Sequence, residues 1–445
     1  MRGKSELSEV GRGAQENNRF SGEGRLKMHI EQLTLNKFRG AKELPLVLHE
    51  RMNVFVGMNG AGKSTVLDAS AILLSWLINR VKTTSASGRP ISEVDIQNGF
   101  NHASLSIKLS HYATTYEWSL VKYRKGRHQD EKSSLQVLNQ FANVLKKHLS
   151  ADEGEVNLPL FVYYPVNRAV LDIPLRVRGR HSFDVLSAYD DALTGGSNFR
   201  TFFEWFRECE DLENENRKYL DEELCPVPEL EAVRRALSQF MPTFKNLTVR
   251  RDPLRMEVEK NGQRLIVNQL SDGEKCLMAM VGDLARRLAI INPLRNNPLE
   301  GEGVILIDEI DLHLHPKWQR MIVPKLREVF PCCQFLVSTH SPHVITHVQP
   351  ECLYLLEQTS TGMTAQRPRE SYGKNTDRIL EDLMGLETTR PDKVSLELDC
   401  LYDEIDQGQL VDARQKIAEL KTEIGEDPEL VKAEVLIKRK EIIGK

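Results

Sequence analysis

The stretch GMNGAGKST, from Gly57 to Thr65, constrains the fold of this chain more than any other feature. It matches the pattern GxxxxGK[ST], follows the apolar run NVFV and precedes a run with helical length and period. Glycines let a backbone curl so that its N–H groups surround phosphate oxygens, and the N-terminus of the next helix favours negative charge. The pattern therefore predicts a strand, a phosphate-binding loop and a helix within an α/β fold.

We call residues Gly57–Thr65 the phosphate loop. The Lys63 ammonium is expected to reach the β- and γ-phosphates and so to take part in catalysis, and the Ser64 hydroxyl is expected to bind Mg²⁺. The alternative is a glycine-rich turn without a ligand. The nucleotide-binding residues predicted here are Gly57, Asn59, Gly60, Ala61, Gly62, Lys63, Ser64 and Thr65.

Two apolar runs farther along the chain end in polar residues. VILIDEID places Asp308 at the end of a buried strand, where open α/β sheets bind ligands, so Asp308 is a predicted metal ligand. Glu309 follows it and is the predicted residue that orients or deprotonates the attacking water. FLVSTHSP ends at the same sheet edge and makes His340 a predicted catalytic contact to the γ-phosphate. The alternatives are solvated acids and a structural histidine.

The segment LSDGE opens an apolar-periodic run. Ser271 and Glu274 fit the S-x-x-E capping box, so the simplest interpretation is the start of a helix. That interpretation does not exclude a second role, because the free N–H groups at a helix N-terminus also attract phosphate.

Taken together, GMNGAGKST, LSDGE, VILIDE, Asp311 and STHS occur in the order found in ATP-binding-cassette (ABC) ATPases, which the chain resembles between residues 28 and 357. The resemblance implies a P-loop NTPase fold of the ABC ATPase-head type, with a mixed sheet flanked by helices, a helical insertion and a helical C-terminal tail. It implies ATP and Mg²⁺ as ligands and at least a head-to-head dimer. Ser271, Gly273 and Glu274 would then contact the nucleotide of the second copy. Asp272 departs from the usual glycine and fits only if its side chain avoids the phosphate.

Three further motifs resemble particular branches of that superfamily. LNKFRG resembles the opening of RecF/SMC-like ATPases, which makes Arg39 a candidate contact to a phosphate or to the adenine edge. DEIDLHLHPKWQ is similar to OLD-like ATPases. YYPVNRAVLDIPLR and DLMGLETTRPDKV look like the PtuA ATPases of Septu anti-phage systems. This resemblance implies that the ATPase controls a separate HNH endonuclease through its nucleotide state, and no nuclease activity is expected in this chain. The alternative is a RecF-like DNA repair ATPase without a nuclease partner.

The glutamine that links the metal to the helical subdomain in ABC ATPases is not fixed by the sequence. Gln97 is the predicted metal contact, and Asn167-Arg168 is the alternative. A surface loop is the simpler interpretation of both.

The sequence predicts five regions. They are a disordered leader (1–27), an N-terminal ATPase lobe (28–132), a mostly helical insertion (133–250), a C-terminal ATPase lobe (251–372) and a helical tail for partner or oligomer docking (373–445).

Composition limits the partners of the chain. The formal net charge is −4, so DNA, a candidate partner, would have to contact local basic clusters, namely KYRKGRH from Lys122, RVRGRH from Arg176, Arg234-Arg235 and Arg250-Arg251. Seven cysteines without a CxxC pair favour a reducing, cytoplasmic location. The longest apolar run, from Ala69, is shorter than the roughly 20 residues that cross a bilayer, so no membrane partner is expected.

Overall fold

The computed structural model describes residues 27–112, 114–127, 130–151, 157–166, 184–194, 199–219 and 226–443. All of the predicted leader except Lys27 lies outside these ranges. The chain divides between Lys374 and Asn375 into two compact units, which are described separately.

A six-stranded sheet forms the centre of the first unit. Every residue of four adjacent strands, one of them at an edge of the sheet, is buried, which is the continuous apolar pattern of parallel strands covered on both faces. The spatial order is β13-β12-β3-β11-β10-β6, and only β13 runs antiparallel to its neighbour. The strands are β3 (Met52–Val56), β6 (Leu160–Tyr164), β10 (Gly303–Ile307), β11 (Cys333–Ser338), β12 (Leu353–Thr359) and β13 (Gly362–Gln366).

A second, antiparallel sheet has the order β2-β1-β4-β5. Strands β4 and β5 form an antiparallel hairpin. Helix α1 (Lys63–Lys82) packs against strands of both sheets, and α2 (Gln136–Ala151) packs on α1 and β5. The strands are β1 (Met28–Phe38), β2 (Ala41–Val47), β4 (His102–His111) and β5 (Thr114–Tyr123).

The rest of the first unit surrounds helix α5 (Asp272–Ile291), which packs against the side of the central sheet that includes β6. A turn at Asn261-Gly262 joins β8 and β9, and both residues have positive φ, 51° and 78°, as is typical of Asn-Gly hairpin turns. The remaining elements are α3 (Phe199–Tyr219), α4 (Pro228–Phe240), β7 (Phe244–Arg251), β8 (Leu254–Lys260), β9 (Gln263–Ile266), α6 (Pro316–Val329) and α7 (Pro342–Ile345).

Strand β6 lies within residues 133–250, the region predicted from the sequence to be a mostly helical insertion. It nevertheless pairs with β10 and forms one edge of the central sheet. The insertion is therefore interrupted by a strand of the ATPase core, and the carboxyl end of that strand lies beside Asp308.

The second unit consists of α8 (Thr376–Asp382), α9 (Asp392–Asp406), α10 (Leu410–Ile424) and α11 (Pro428–Ile443). Its core is an apolar cluster from α9, α10 and α11 that includes Leu401, Ile417 and Leu430. Helix α11 begins with Pro428 in the first position, and the Asp427 carboxylate accepts a hydrogen bond from the Glu429 N–H at 2.8 Å.

Candidate nucleotide-binding site

The phosphate loop joins the end of β3 to the start of α1. Gly60 and Gly62 have φ values of 83° and 97°, in the left-handed region that side chains with a Cβ rarely adopt. At Gly57 a Cβ would lie 2.2 Å from the Leu356 carbonyl oxygen of the neighbouring strand. The glycines of the pattern are thus required by the backbone path of this loop.

Lys63 turns back into the phosphate loop. Its Nζ donates hydrogen bonds to the carbonyl oxygens of Gly57 at 2.9 Å and Met58 at 3.1 Å. Burial lowers the pKa of Lys63 below its ordinary value, while the carboxylates that follow β10 oppose that shift. A buried ammonium inside a glycine-rich loop can exchange these carbonyls for phosphate oxygens, so the residues present fit a nucleotide phosphate.

The acidic pair after β10 is held by the neighbouring strands. Asp308 is buried, its N–H donates to the Tyr164 carbonyl at 2.8 Å, and its carboxylate accepts a hydrogen bond from the Ser338 hydroxyl. The Glu309 N–H donates to Ser338 Oγ at 2.8 Å, and Glu309 has a left-handed φ of 46°. With the exposed Ser64 hydroxyl, the Asp308 carboxylate provides the oxygen ligands that Mg²⁺ prefers.

His340 lies just beyond the end of β11. Asp311 accepts hydrogen bonds from the Thr339 hydroxyl and, at 3.4 Å, from the His340 N–H. Burial lowers the pKa of His340, and the Lys63 charge lowers it further. The site therefore brings Lys63, the two acids and His340 together at the carboxyl edge of β3, β10 and β11.

The capping box predicted in LSDGE is confirmed. The Ser271 hydroxyl accepts from the Glu274 N–H at 3.4 Å, and the Glu274 carboxylate accepts from the Ser271 N–H at 3.0 Å. The same carboxylate pairs with Lys260 Nζ at 2.5 Å, so Glu274 holds the start of α5 in place. A direct contact of Glu274 with nucleotide stays a prediction.

Gly273 permits close packing at the start of α5. A Cβ there would lie 2.3 Å from the His313 carbonyl oxygen, in the loop that follows Asp311. Asp272 is largely exposed, and its carboxylate lies 3.0 Å from Lys275 Nζ one turn along the helix. Asp272, which stands where ABC ATPases usually have a glycine, is thus paired with the positive charge of Lys275.

Arg39 is already ion-paired. Its Nε lies 3.0 Å from Asp95 and its Nη1 lies 2.8 Å from Asp68, an α1 residue that also pairs with Arg89 at 3.3 Å. The sequence did not single out Asp68 or Arg89 as partners of Arg39. A contact between Arg39 and a nucleotide stays a prediction.

In the structure Gln97 is hydrogen-bonded to Gly40 and not to the acidic pair. Gln97 Nε2 donates to the Gly40 carbonyl at 3.4 Å, and its Oε1 is buried without a hydrogen-bond partner in the described part of the chain. The alternative, Asn167-Arg168, lies outside the described residues.

Two residues that orient the site were missed by sequence reasoning. The Ser338 hydroxyl is hydrogen-bonded to both Asp308 and Glu309, and the backbone carbonyl of Tyr164 accepts a hydrogen bond from the Asp308 N–H. Ser338 is the first residue of the STHS motif that contains His340, so its position was a usable signal, whereas Tyr164 becomes relevant only once β6 is placed beside β10.

Among the helices in the described ranges, none is long and apolar enough to span a bilayer.

Comparisons with known proteins identify several that this chain resembles. The chain is 31% identical over 426 residues to a Retron Ec83 probable ATPase of Escherichia coli, covering 82% of this chain and 78% of that protein. It is 24% identical over 371 residues to the Septu protein PtuA of Bacillus thuringiensis, covering 81% and 85%. A solved SMC head bound to the C-winged helix domain of ScpA aligns with a TM-score of 0.45 and 17% identity, covering 76% of this chain and 97% of that one.

The family model described as RecF/RecN/SMC N terminal domain matches residues 29–364, a span that includes every predicted site residue. The expected resemblance to RecF/SMC-like and PtuA ATPases is confirmed, as is the α/β fold of the ABC ATPase-head type. The chain belongs to the RecF/RecN/SMC N-terminal domain family.

Proposed function

We propose that this chain binds ATP with Mg²⁺ and hydrolyses it to ADP and phosphate, and that its nucleotide state controls a separate nuclease subunit in anti-phage defence. One observation carries the enzymatic part: Lys63, Asp308, Glu309 and His340 lie together at one edge of the central sheet. Membership of the RecF/RecN/SMC family and similarity to proteins named as ATPases support it.

Each residue of the site has a distinct task in this proposal. Lys63 and the N–H groups of the phosphate loop would hold the phosphates, and His340 would contact the terminal one. Ser64 and Asp308 would hold Mg²⁺, which offsets the negative charge of the phosphates. Glu309 would orient the attacking water and accept its proton.

The start of α5 would complete the site of a second copy of the chain. Ser271 and Gly273 lie at a helix N-terminus, where N–H groups and the helix dipole favour an anion. The exposed Asp272 carboxylate is balanced by Lys275 and adds no unpaired charge there. A head-to-head dimer with two composite sites follows.

Mixing two inactive variants tests this arrangement. Ser271→Arg blocks the contribution of α5, and Lys63→Ala removes the phosphate-loop cation, so neither variant alone should hydrolyse ATP. Their mixture forms heterodimers in which one of the two sites has both parts intact, and about a quarter of the wild-type ATPase rate should return. Phosphate release measured after subunit exchange gives the rate.

The matched control mixes Lys63→Ala with Glu309→Gln. These two defects fall in the same half of the site, so every composite site in that mixture stays defective. Recovery in the control, or none in the test mixture, would contradict a site shared between two copies.

The relatives support the defence part of the proposal. One is named as a retron ATPase and another as a Septu protein. In line with the Septu-like resemblance we propose an HNH endonuclease as the partner and the cytoplasm as the location. The second unit is the candidate docking surface, and packing against another copy of this chain is the alternative. Its exposed apolar side chains are Leu386, Leu396, Val411, Val431, Val435, Ile442 and Ile443.

A further inference from the structure

A polar, half-open cavity of about 890 Å³ lies among α3, α4 and the β7–β8–β9 sheet. We call it the basic groove. None of its described lining residues belongs to the candidate nucleotide site, and its volume is typical of a ligand site. Seven cations line it against five carboxylates: Arg217, Arg234, Arg235, Lys245, Arg250, Arg251 and Arg264 against Glu210, Glu213, Glu231, Glu257 and Glu259.

Three of the arginines are fixed by buried glutamates. These ion pairs involve three of the four arginines in the Arg234-Arg235 and Arg250-Arg251 clusters. Those three side chains are therefore not free to contact phosphate. The pairs are Arg234–Glu213 at 3.0 Å, Arg251–Glu210 at 2.8 Å and Arg250–Glu257 at 3.2 Å.

The other four cations have no such counter-charge. Arg217, Arg235, Lys245 and Arg264 are exposed, and within the described ranges none of them has an ion-pair or side-chain hydrogen-bond partner. They come from α3, α4, β7 and β9 and so surround the groove on several sides. With seven cations against five carboxylates, the described lining has two positive charges in excess, which attract an anion into the groove.

The two remaining carboxylates, Glu231 and Glu259, offset only part of these charges. Glu259 accepts a hydrogen bond from Asn246 at 2.8 Å, and Glu231 is exposed on α4. Asn214, Ser238 and Thr248 also line the groove and are of the types that contact phosphate oxygens and sugars. The lining therefore suits a hydrophilic ligand with several negative charges.

We infer that the basic groove binds the phosphate groups of a nucleic acid or of a free polyphosphate, at a site separate from the phosphate loop. Arginine is suited to this because its planar guanidinium matches the geometry of two phosphate oxygens. The arginines held by buried glutamates shape the floor, and the four unpaired cations supply the net attraction.

The groove is connected to the start of α5. Val258 and Glu259 of β8 line it, and the next residue, Lys260, pairs with Glu274 of the capping box at 2.5 Å. Met278 of α5 also lines the groove. A ligand seated there contacts both the strand and the helix that position Ser271, and it therefore changes the ATPase rate. This coupling rests on the proposed ATPase function, whereas the binding does not.

Charge reversal tests the binding. Arg235→Glu/Arg264→Glu is compared with Lys438→Glu/Arg439→Glu, which changes the net charge equally at two exposed residues of α11 that form no ion pair or side-chain hydrogen bond within the described residues. Both are made in the full chain with Lys63→Ala, so that the phosphate loop contributes little. The probes are fluorescein-labelled short single-stranded DNA, duplex DNA and RNA, and inorganic tripolyphosphate as the small ligand. Anisotropy reports the first three and calorimetry the last.

The groove variant should bind at least one probe about tenfold more weakly and with a shallower salt dependence, whereas the control should stay within about twofold of its parent. Loss confined to oligonucleotides identifies a nucleic-acid backbone as the ligand, and loss of tripolyphosphate binding identifies a free polyphosphate. Circular dichroism checks that both variants are folded. If the parent binds no probe, or if the groove variant binds as tightly as the control, the proposal is overturned.

A second measurement tests the coupling in chains that keep Lys63. The bound probe should change the ATPase rate of the wild type, and Lys260→Met should keep the affinity but lose the response. Binding without any change in ATPase rate would overturn the coupling alone. Absence of ATPase activity under every condition would count against the proposed function, while the binding result would still stand.

Discussion

Replacing Glu309 with glutamine should lower the ATP hydrolysis rate by about 100-fold or more and leave ATP affinity nearly unchanged. An amide has almost the shape of a carboxylate but cannot accept the proton of the attacking water. The backbone should tolerate the change, because Glu309 is fixed through its N–H, which donates to Ser338 at 2.8 Å. The loss should therefore fall on turnover and spare binding.

Phosphate release gives the turnover rate of Glu309→Gln, and a titration with a fluorescent ATP analogue gives the affinity. Glu300→Gln is the matched control, since Glu300 is an exposed acid shortly before β10, and within the described residues its carboxylate accepts a side-chain hydrogen bond from Asn297 alone, at 2.8 Å. Wild-type turnover in Glu309→Gln would remove Glu309 as the residue that positions water.

The second large effect is expected at Asp283, in the middle of α5. Its carboxylate is completely buried and lies 2.7 Å from each of Arg286 and Arg287, and it accepts a hydrogen bond from the Tyr164 hydroxyl at 2.9 Å. Burial alone would raise the pKa of Asp283, but Arg287 and Arg286 outweigh it and hold the pKa below its ordinary value. Asp283→Asn would leave Arg286 and Arg287 buried without the carboxylate that pairs with both of them.

We expect Asp283→Asn to lower the free energy of unfolding of the first unit by about 3–5 kcal/mol, the usual cost of removing one partner from a buried ion pair. Denaturant unfolding followed by tryptophan fluorescence measures this, because Trp76, Trp118, Trp205 and Trp318 all lie in the first unit.

Glu328→Gln is the control for Asp283→Asn. It breaks a surface pair with Lys325 on α6, whose atoms lie 2.8 Å apart, and should cost no more than about 1 kcal/mol. Equal effects of the two substitutions would show that the buried cluster is not held by the Asp283 charge.

The motifs with local signals were predictable from the sequence. The phosphate loop, Asp308 and His340 each follow a short apolar run, and parallel strands bring such ends to one edge of a sheet. The capping box of Ser271 and Glu274 depends on residues three apart, so it too was visible in the sequence.

The features that the sequence did not reveal depend on contacts between residues that are far apart in the chain. Strand β6 is five residues long and is recognised as part of the core only through its pairing with β10. Arg251 looked available for DNA because Glu210, its buried partner, lies 41 residues away in the sequence. Arg39 likewise is paired with Asp68, 29 residues later. Such pairs are set by tertiary packing and leave no local pattern.

The central claim is that the phosphate loop holds ATP through Lys63. Its most direct test is a calorimetric titration of ATP and Mg²⁺ into the wild type and into Lys63→Ala. The structure predicts measurable binding to the wild type and an affinity about 100-fold weaker or undetectable in the variant, because the loop would lose its only buried cation among the residues from 57 to 65. Undiminished binding to Lys63→Ala would contradict the assignment of this loop as the nucleotide site.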